Sequence, residues 1–323
     1  MLNVLNMLDE ETLYMDTDPG RTTREAAVAE APRSTAGAGK VRGTALALAG
    51  VVAFSLTFPA TAWGLEGLGP WTVTAARAVL AALVAGGVLL ALRVRPPQRR
   101  HWAGLATVAG GLIVGYPLLT TLALQTTTSS HAAVIAGLLP LTTAVYGTAR
   151  TGVRPPPVFW AAAVAGAMVV VAFALQQGGG SFSGADLYLF AALLVAAAAY
   201  TEGGLLAKVM PSWQVIAWAL VASLPLAVGG SVAALLLEEP HATARSIIGL
   251  VWLGVGAQFL GPLVWYGGIA AIGITRASQI LLSQPLLTLI WAIPMLGERP
   301  PLLAAGAALA VLVCIAVTQR VGP

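Results

Sequence analysis

Ten apolar runs of roughly 20 residues each occupy most of the chain, and they restrict the fold more than any other feature. A run of that length spans the hydrocarbon core of a bilayer as an α-helix. A membrane β-barrel would instead need strands of about ten alternating residues, and the sequence has no such pattern. The sequence therefore predicts an all-α integral membrane protein with ten transmembrane helices, at 43–65, 71–92, 103–124, 129–149, 156–175, 187–208, 213–237, 247–270, 275–296 and 301–319.

Composition supports a bilayer as the solvent of this chain. Only 9% of the residues are charged, whereas soluble domains carry about 25%. The net charge of +4 does not indicate nucleic-acid binding, because the basic residues lie in short clusters between the apolar runs. The single cysteine, Cys314, excludes a disulfide framework within one chain and a cysteine-based metal site. No motif predicts a cofactor.

Residues 1–42 differ from the rest of the chain. They are polar and mixed in charge, which predicts a disordered cytoplasmic tail. A basic segment followed by an apolar one, the mark of a signal peptide, does not occur there.

The distribution of Lys and Arg predicts the orientation, since cytoplasmic loops of membrane proteins are enriched in both. With the N-terminus inside, only Arg245 and Arg299 fall outside, and the acids near the run ends all fall outside as well. The cytoplasmic side then holds Arg33, Lys40, Arg42, Arg93, Arg95, Arg99, Arg100, Arg150, Arg154, Lys208, Arg276 and Arg320. We therefore expect a multi-pass protein of the cell (inner or plasma) membrane with both termini in the cytoplasm.

A near-repeat divides the chain into two units. GVRPP at 152–156 returns as GERPP at 297–301, and the same shift of 145 places Pro117 on Pro262 and Pro140 on Pro285. The pattern predicts five-helix repeats at 43–175 and 187–319, joined by an external linker at 176–186. Because five is odd, the second unit would cross the membrane in the opposite sense, as in transporters with inverted repeats. In each motif the Gly is expected to end one helix and the prolines to begin the next.

The order of several segments resembles a known family: LTFPATAWGL (56–65), AARAVLAALV (75–84), TTSSHAAVIAGLLPL (127–141), GITRASQILLSQPL (273–286) and GERPPLLAAGAALAVLVCIAV (297–317). In these features the chain is similar to the EamA family of the drug/metabolite transporter superfamily. The resemblance implies movement of small metabolites, often amino acids or amphipathic drugs, usually outward and driven by protons or by a counter-solute. The chain departs from the family at Val153, where such proteins often carry Glu.

Two charged residues fall inside the apolar runs, where charge is costly and suggests function. Glu202 is a candidate coupling or gating residue, and Arg276 is its expected partner because both lie near the cytoplasmic side. Arg77 is a second candidate for coupling or gating. The alternatives are a structural ion pair for Glu202, and for Arg77 a structural role held by backbone carbonyls or by snorkelling outward.

Polar and aromatic residues recur at helical spacing in six runs and predict a solute cavity near the midplane, although such residues also join helices without binding a ligand. Bends at Pro117 and Pro262 would free carbonyls toward this cavity. The candidate lining residues are Thr57, Thr61, Tyr116, Thr120, Tyr200, Gln258, Trp265, Tyr266, Gln279, Ser283, Gln284 and Trp291. His131 is expected to be a loop-end residue, with a proton-relay role as the lesser alternative.

The sequence features bear on three classes of function: a secondary transporter, an intramembrane enzyme, and a channel-like or scaffold protein. A secondary transporter fits the inverted repeat, and an intramembrane enzyme is disfavoured because no nucleophile–base or metal-ligand motif occurs. A channel-like or scaffold protein without coupled transport stays as the alternative. The small-residue motifs Gly111-x-x-x-Gly115 and Gly306-x-x-x-Ala310 are weak evidence for a homodimer.

Overall fold

The computed structural model describes residues 33–152, 156–273, 277 and 280–321, with side chains described from 41 to 317. Every regular element in these ranges is a helix, so the prediction of an all-α protein is confirmed for the described part of the chain. The helices are α1 (Arg33–Ser55, continued by Thr57–Leu65), α2 (Pro70–Ala91), α3 (Arg99–Ala123), α4 (Ser129–Thr151), α5 (Pro157–Gln177), α6 (Gly184–Leu206), α7 (Ser212–Leu237), α8 (Ala244–Ile272), α9 (Gln284–Leu296) and α10 (Leu302–Val321).

Eight helices, α1 to α8, are long and apolar enough to cross a membrane. Two shorter apolar helices, Gln284–Leu296 and Leu302–Val317, lie where the ninth and tenth spans are predicted. The first helix begins at Arg33, ten residues before the predicted boundary at 43. The segment 33–42 contains Ala, Lys and Arg, which favour helix even where the side chains are polar.

Local sequence signals account for the helix ends. Thr128 caps α4 by accepting from the amide of His131, and Ser183 forms a reciprocal capping box with Asp186 at the start of α6. Proline occupies the first turn of α2 and α5, where its missing N–H costs little. The end positions of the helices therefore follow from capping and proline chemistry as much as from hydropathy.

The repeat appears in the structure as two pairs of matching irregularities. Helices α3 and α8 each contain a π-helical segment, Ala109–Gly115 and Trp252–Leu260, that ends two residues before Pro117 and Pro262. A proline removes one backbone donor and disturbs the hydrogen-bond ladder upstream of it, which is where a π-bulge is found. The two π-helical segments therefore precede prolines that lie 145 positions apart, and the predicted bends stay a prediction.

Helices α4 and α9 match in the same way. Leu139–Thr151 and Gln284–Leu296 are both 13 residues long, and each has a proline at its second position. Each ends at a left-handed glycine, Gly152 with φ 74° and Gly297 with φ 67°. A side chain would be strained at such a φ, so the expected helix-ending role of both glycines is confirmed.

The packing of the helices has the symmetry of the repeat. Helix α2 packs on α7, α4 on α9 and α5 on α10, so equivalent helices of the two units meet. Helix α1 packs on α8 and α9, and the equivalent helix α6 packs on α3 and α4. Exchanging the two units leaves this set of contacts unchanged.

Glycines allow the closest of these contacts. A Cβ on Gly268 of α8 would lie 2.6 Å from the backbone nitrogen of Ala47 in α1. A Cβ on Gly111 of α3 would lie 2.4 Å from the carbonyl oxygen of Val195 in α6. The first of the small-residue motifs therefore serves packing within the chain. Gly306, in the second motif, would place its Cβ in open space.

Candidate functional site

The loops that join α1 to α2, α3 to α4, α5 to α6, α7 to α8 and α9 to α10 meet at one end of the bundle. We call it the acidic end, because it holds Glu66, Glu238, Glu239 and Glu298. The opposite end, with the loops at 92–98 and 207–211, is the basic end.

Glu298 joins the α9–α10 loop to the first turn of α4. Its carboxylate accepts from the amide of Ser129 at 2.8 Å, from the amide of Ser130 at 3.0 Å, and from the Ser130 hydroxyl. The first amides of a helix have no partner inside the helix and lie at the positive end of its dipole. Glu298 is thus a charged cap supplied by the other half of the chain.

Glu238 caps α2 by the same means. Its carboxylate, at the end of α7, accepts from the amides of Trp71 at 3.0 Å and Thr72 at 2.9 Å, and from the Thr72 hydroxyl at 2.7 Å. From the sequence, Glu238 and Glu298 are predicted only to lie outside the membrane. Their capping role depends on tertiary contacts across about 170 residues, which no local pattern indicates.

A buried ion pair lies beside the Glu298 cap. His131 Nε2 is 2.6 Å from Asp186 Oδ1, and the two side chains are 10% and 1% exposed. The second carboxylate oxygen of Asp186 accepts from the amide and hydroxyl of Ser183. His131 also stacks on Phe173 with centroids 5.2 Å apart. His131 is therefore more than a loop-end residue, and the spacing Ser183-x-x-Asp186 was the only sequence signal for its partner.

Glu202 lies toward the basic end. Its Oε1 is 2.7 Å from Nε of Arg150 at the end of α4, and the Arg150 side chain is 52% exposed. The expected partner Arg276 lies outside the described residues. The structure thus gives Glu202 one partner, the half-exposed Arg150, and the predicted pairing with Arg276 stays a prediction.

Arg77 lies inside the bundle and does not snorkel outward, since it is only 5% exposed. Its Nε donates to Oε1 of Gln258 at 2.8 Å, and Gln258 in turn donates to the carbonyl of Ile113 at 3.4 Å. That carbonyl belongs to the π-helical segment of α3. The arginine is therefore held by an amide side chain and not by the backbone carbonyls that the structural alternative assumed.

Three tyrosines of different helices are linked to Arg77 by a chain of electrostatic interactions. The hydroxyl of Tyr200 in α6 interacts electrostatically with those of Tyr116 in α3 and Tyr266 in α8, and Tyr116 interacts with Arg77. Together with Gln258, these side chains form what we call the tyrosine–arginine cluster. It brings together four of the predicted lining residues and one of the predicted gating residues.

Tyr200 indicates where open space lies. Ala196 and Leu193, one and two turns earlier on the same face of α6, are 0% and 3% exposed, yet Tyr200 is 44% exposed. The side chain of Tyr200 is therefore accessible where the close packing of α6 ends, toward the basic end.

Other predicted lining residues form a seam between α1, α8 and α9. Trp291 donates its indole N–H to the hydroxyl of Ser55 at 3.1 Å, and Trp265 contacts Phe54 edge-on with centroids 6.3 Å apart. Both tryptophans thus join helices of different halves.

The predicted hydroxyl stripes are mostly occupied within their own helices. Thr61 donates to the carbonyl of Thr57, Thr120 to that of Tyr116, and Ser283 to that of Ile280. Thr61 and Thr120 are also buried, so their hydroxyls are unavailable to a solute in this conformation. Gln284 is half-buried, and Gln279 lies outside the described residues.

Two cavities are found elsewhere. One of about 160 Å³ lies between α1, α8 and α9 near the acidic end and has an apolar lining that includes Trp63, Trp252 and Met295. Another of about 370 Å³ follows the exposed face of α1 at Val41, Thr44, Ala45 and Leu48. Neither contains a charged side chain, so we assign the solute site to the tyrosine–arginine cluster on its chemistry and not on cavity size. Among the described residues no group of His, Cys, Asp and Glu could hold a metal ion.

Comparison with known proteins agrees with this architecture. The model of the EamA-like transporter family matches the chain twice, over residues 41–175 and 183–319. The chain is 40% identical over 271 residues to the uncharacterized transporter YdeK of Bacillus subtilis (strain 168), which covers 84% of this chain and 94% of that protein. One solved crystal structure shares the fold, with a TM-score of 0.61 at 21% identity, over 90% of this chain and 98% of the other.

The two matches coincide with the two halves that share the π-helical segments and the left-handed glycines. The relative is itself described as a transporter, and the helices of the chain are apolar along their length. The chain therefore belongs to the EamA-like transporter family and is a multi-pass membrane transporter of the drug/metabolite type.

Proposed function

We propose that the protein is a secondary active carrier that exports or exchanges a small metabolite, such as an amino acid or an amphipathic amine, by alternating access. The observation that supports this most is the set of helix contacts that maps onto itself when the two halves are exchanged. Two similar halves packed in this way can adopt two equivalent arrangements that open a shared site to opposite sides of the membrane.

The topology belongs to the same proposal. We place ten spans in two inverted five-helix halves, with both termini in the cytoplasm of a cell-membrane protein. The basic end is then cytoplasmic, since it holds Arg93, Arg95, Arg150 and Lys208. Cysteines at Gly180 and Arg95, introduced singly in a Cys314→Ser background, should react with an impermeant maleimide from outside and inside respectively. Labelling of both from the same side would contradict this topology.

The solute site lies at the tyrosine–arginine cluster, between the halves. Gln258 and Arg77 supply polar groups, and three tyrosine rings supply apolar faces with hydroxyls at their edges. The acidic end is closed over it by the carboxylate caps of Glu238 and Glu298. In this conformation the site is open at the exposed side chain of Tyr200, which lies toward the cytoplasmic end of α6.

Coupling to protons is assigned to Glu202. Its side chain is 17% exposed and its partner Arg150 is 52% exposed, so the pair borders on water at the cytoplasmic side. Breaking the pair would separate α4 from α6 and allow the carboxylate to take up a proton. This arrangement can act as a gate as well as a coupling site.

Counterflow in proteoliposomes tests the carrier. Vesicles loaded with an unlabelled solute should accumulate the same radiolabelled solute transiently and saturably, because a carrier exchanges one molecule for another. The panel should include zwitterionic amino acids and aromatic amines, and empty vesicles serve as the control. Single-channel currents without saturable counterflow would favour the channel, and no flux of any solute would favour a scaffold.

A further inference from the structure

Arg77 is a buried cation without a counter-ion among the described residues. Its Nε is used by Gln258, and its two terminal nitrogens have no hydrogen-bond acceptor in the described chain. A charge inside a membrane bundle is normally paired, because an unpaired one is costly to desolvate. A charged side chain that is only 5% exposed and has no anionic partner among the described residues needs an explanation.

The acids of the described chain do not supply one. Each is engaged at an end of the bundle or exposed there: Glu66 with Arg245, Asp186 with His131, Glu202 with Arg150, Glu238 and Glu298 with helix amides, and Glu239 on the surface. None of these acids is paired with Arg77.

The neighbours of Arg77 suit an anion that carries a carbon skeleton. With Nε occupied, the guanidinium presents its two terminal nitrogens side by side, the geometry that binds both oxygens of a carboxylate. The hydroxyl of Tyr116, which interacts electrostatically with Arg77, can donate a further hydrogen bond to a bound ligand. The tyrosine rings of the cluster offer apolar surface for the carbon skeleton of such a ligand.

Access to Arg77 is inferred from the exposure of Tyr200. This side chain is 44% exposed although it lies on the packed face of α6, whereas Arg77 is 5% exposed. We therefore expect a solute to meet Tyr200 before it reaches the arginine.

We infer that Arg77, held by Gln258, is the binding site for a carboxylate group of the transported solute. This inference rests on the proposed carrier function and narrows it. The solute is an organic carboxylate or a zwitterion whose carboxylate reaches Arg77, and amines without an acid group are excluded. Arg77 is thereby a solute-binding residue and not a gate.

The local potential tests the inference without knowledge of the solute. The variant Tyr200→Cys, in the Cys314→Ser background, is reacted with two methanethiosulfonates, the anionic sulfonatoethyl reagent and the cationic trimethylammonioethyl reagent. The rate with the anionic reagent is divided by the rate with the cationic one. This ratio is then compared with the same ratio measured for Gly180→Cys. An unpaired positive charge in the adjoining interior of the bundle should favour the anionic reagent about tenfold. Arg77→Gln should remove the preference, whereas Arg77→Lys and the remote control Arg245→Gln should keep it. An equal ratio in wild type and Arg77→Gln would overturn the inference.

A second arm tests carboxylate binding with two probes of equal size. Phenylacetate, but not the neutral phenylacetamide, should slow the reaction of Tyr200→Cys with uncharged methyl methanethiosulfonate, and Arg77→Gln should lose this protection. If Arg77→Gln does not reach the membrane, two measurements with Arg77 intact still test the inference. They are the ratio of the reaction rates with the anionic and cationic reagents, and the difference in protection between phenylacetate and phenylacetamide. Protection by neither probe, or equally by both, overturns the carboxylate site while counterflow leaves the carrier intact. Protection by phenylacetate without any counterflow would refute the carrier instead and leave the anion site standing.

Discussion

Replacing Glu298 by alanine removes three hydrogen bonds to one helix end in a single step. The carboxylate accepts from two amides and one hydroxyl in the first turn of α4. Hydrogen bonds to a charged group contribute about 1.5–3 kcal/mol each, and a typical N-cap about 1 kcal/mol. Because Glu298 is half-buried, water replaces part of the loss in the variant. We therefore expect a destabilisation of about 2 kcal/mol.

Thermal unfolding of the purified protein in detergent, followed by size-exclusion chromatography, measures this loss. At about 2–4 °C per kcal/mol for a chain of this order of size, the midpoint should fall by about 5 °C. Glu239→Ala is the matched control, since Glu239 lies at the same end, is exposed, and has no side-chain contact among the described residues. It should shift the midpoint by less than about 1 °C.

The double variant with Ser130→Ala separates the hydroxyl contact from the two amide contacts. If the Glu298 carboxylate and the Ser130 hydroxyl interact, the two losses will be less than additive when combined. Strict additivity, or an equal midpoint for Glu298→Ala and Glu239→Ala, would refute the view that Glu298 caps α4.

Three further changes test other parts of the structure. Asp186→Asn should lower the unfolding midpoint by a similar amount, because it weakens a buried charge-assisted contact to His131, and an unchanged midpoint would count against that contact. Gly268→Ala should cost about 1–3 kcal/mol, since its Cβ would overlap the backbone of α1, whereas Gly87→Ala, whose Cβ meets nothing within 4 Å, should be neutral in the same assay. Glu202→Gln should abolish pH-driven accumulation of solute in proteoliposomes but leave solute exchange at equal pH. The abundance of the variant should be normal, because the exposed partner Arg150 can be hydrated. Accumulation of solute against a gradient by this variant would exclude Glu202 as the coupling residue.

The helices were predictable because hydrophobic length alone defines a span. The predicted runs 71–92 and 156–175 correspond to Pro70–Ala91 and Pro157–Gln177. The interruptions were harder to predict, because a proline inside an apolar run can bend the helix, end it or produce a π segment. Pro117 follows a π segment within a continuous helix, whereas Pro140 follows a break at Gly137 and Leu138.

The candidate site was predicted in composition but not in its contacts. Gln258 contacts Arg77, Tyr116 interacts with Arg77 electrostatically, and Tyr200 does so with Tyr116 and Tyr266. Their meeting depends on the rotation of each helix about its own axis, which a nearly all-apolar helix does not reveal.

The contact of Glu202 with Arg150 could not be identified for the same reason. Several arginines lie near the basic end of the bundle, and hydropathy does not rank them. The packing of α4 along α6 brings Arg150 to Glu202, and the predicted partner Arg276 stays untested because it lies outside the described residues. Hydroxyl groups at helical spacing do not identify a solute site, for a different reason. Thr61 and Thr120 donate their hydroxyl hydrogen bonds to backbone carbonyls one turn earlier in their own helices.

The departure at Val153 acquires a physical meaning once the cap of Glu298 is known. Position 153 is the repeat equivalent of 298, so an acid there could have capped the start of the ninth span at the basic end. Valine cannot accept from helix amides, and the sequence therefore supplies this charged cap at the acidic end alone. For the proposed alternating-access carrier, this predicts that the two arrangements of the inverted repeat differ in energy by about the contribution of one charged cap. This inequality favours closure at the acidic end, which is the conformation in which Glu298 contacts α4.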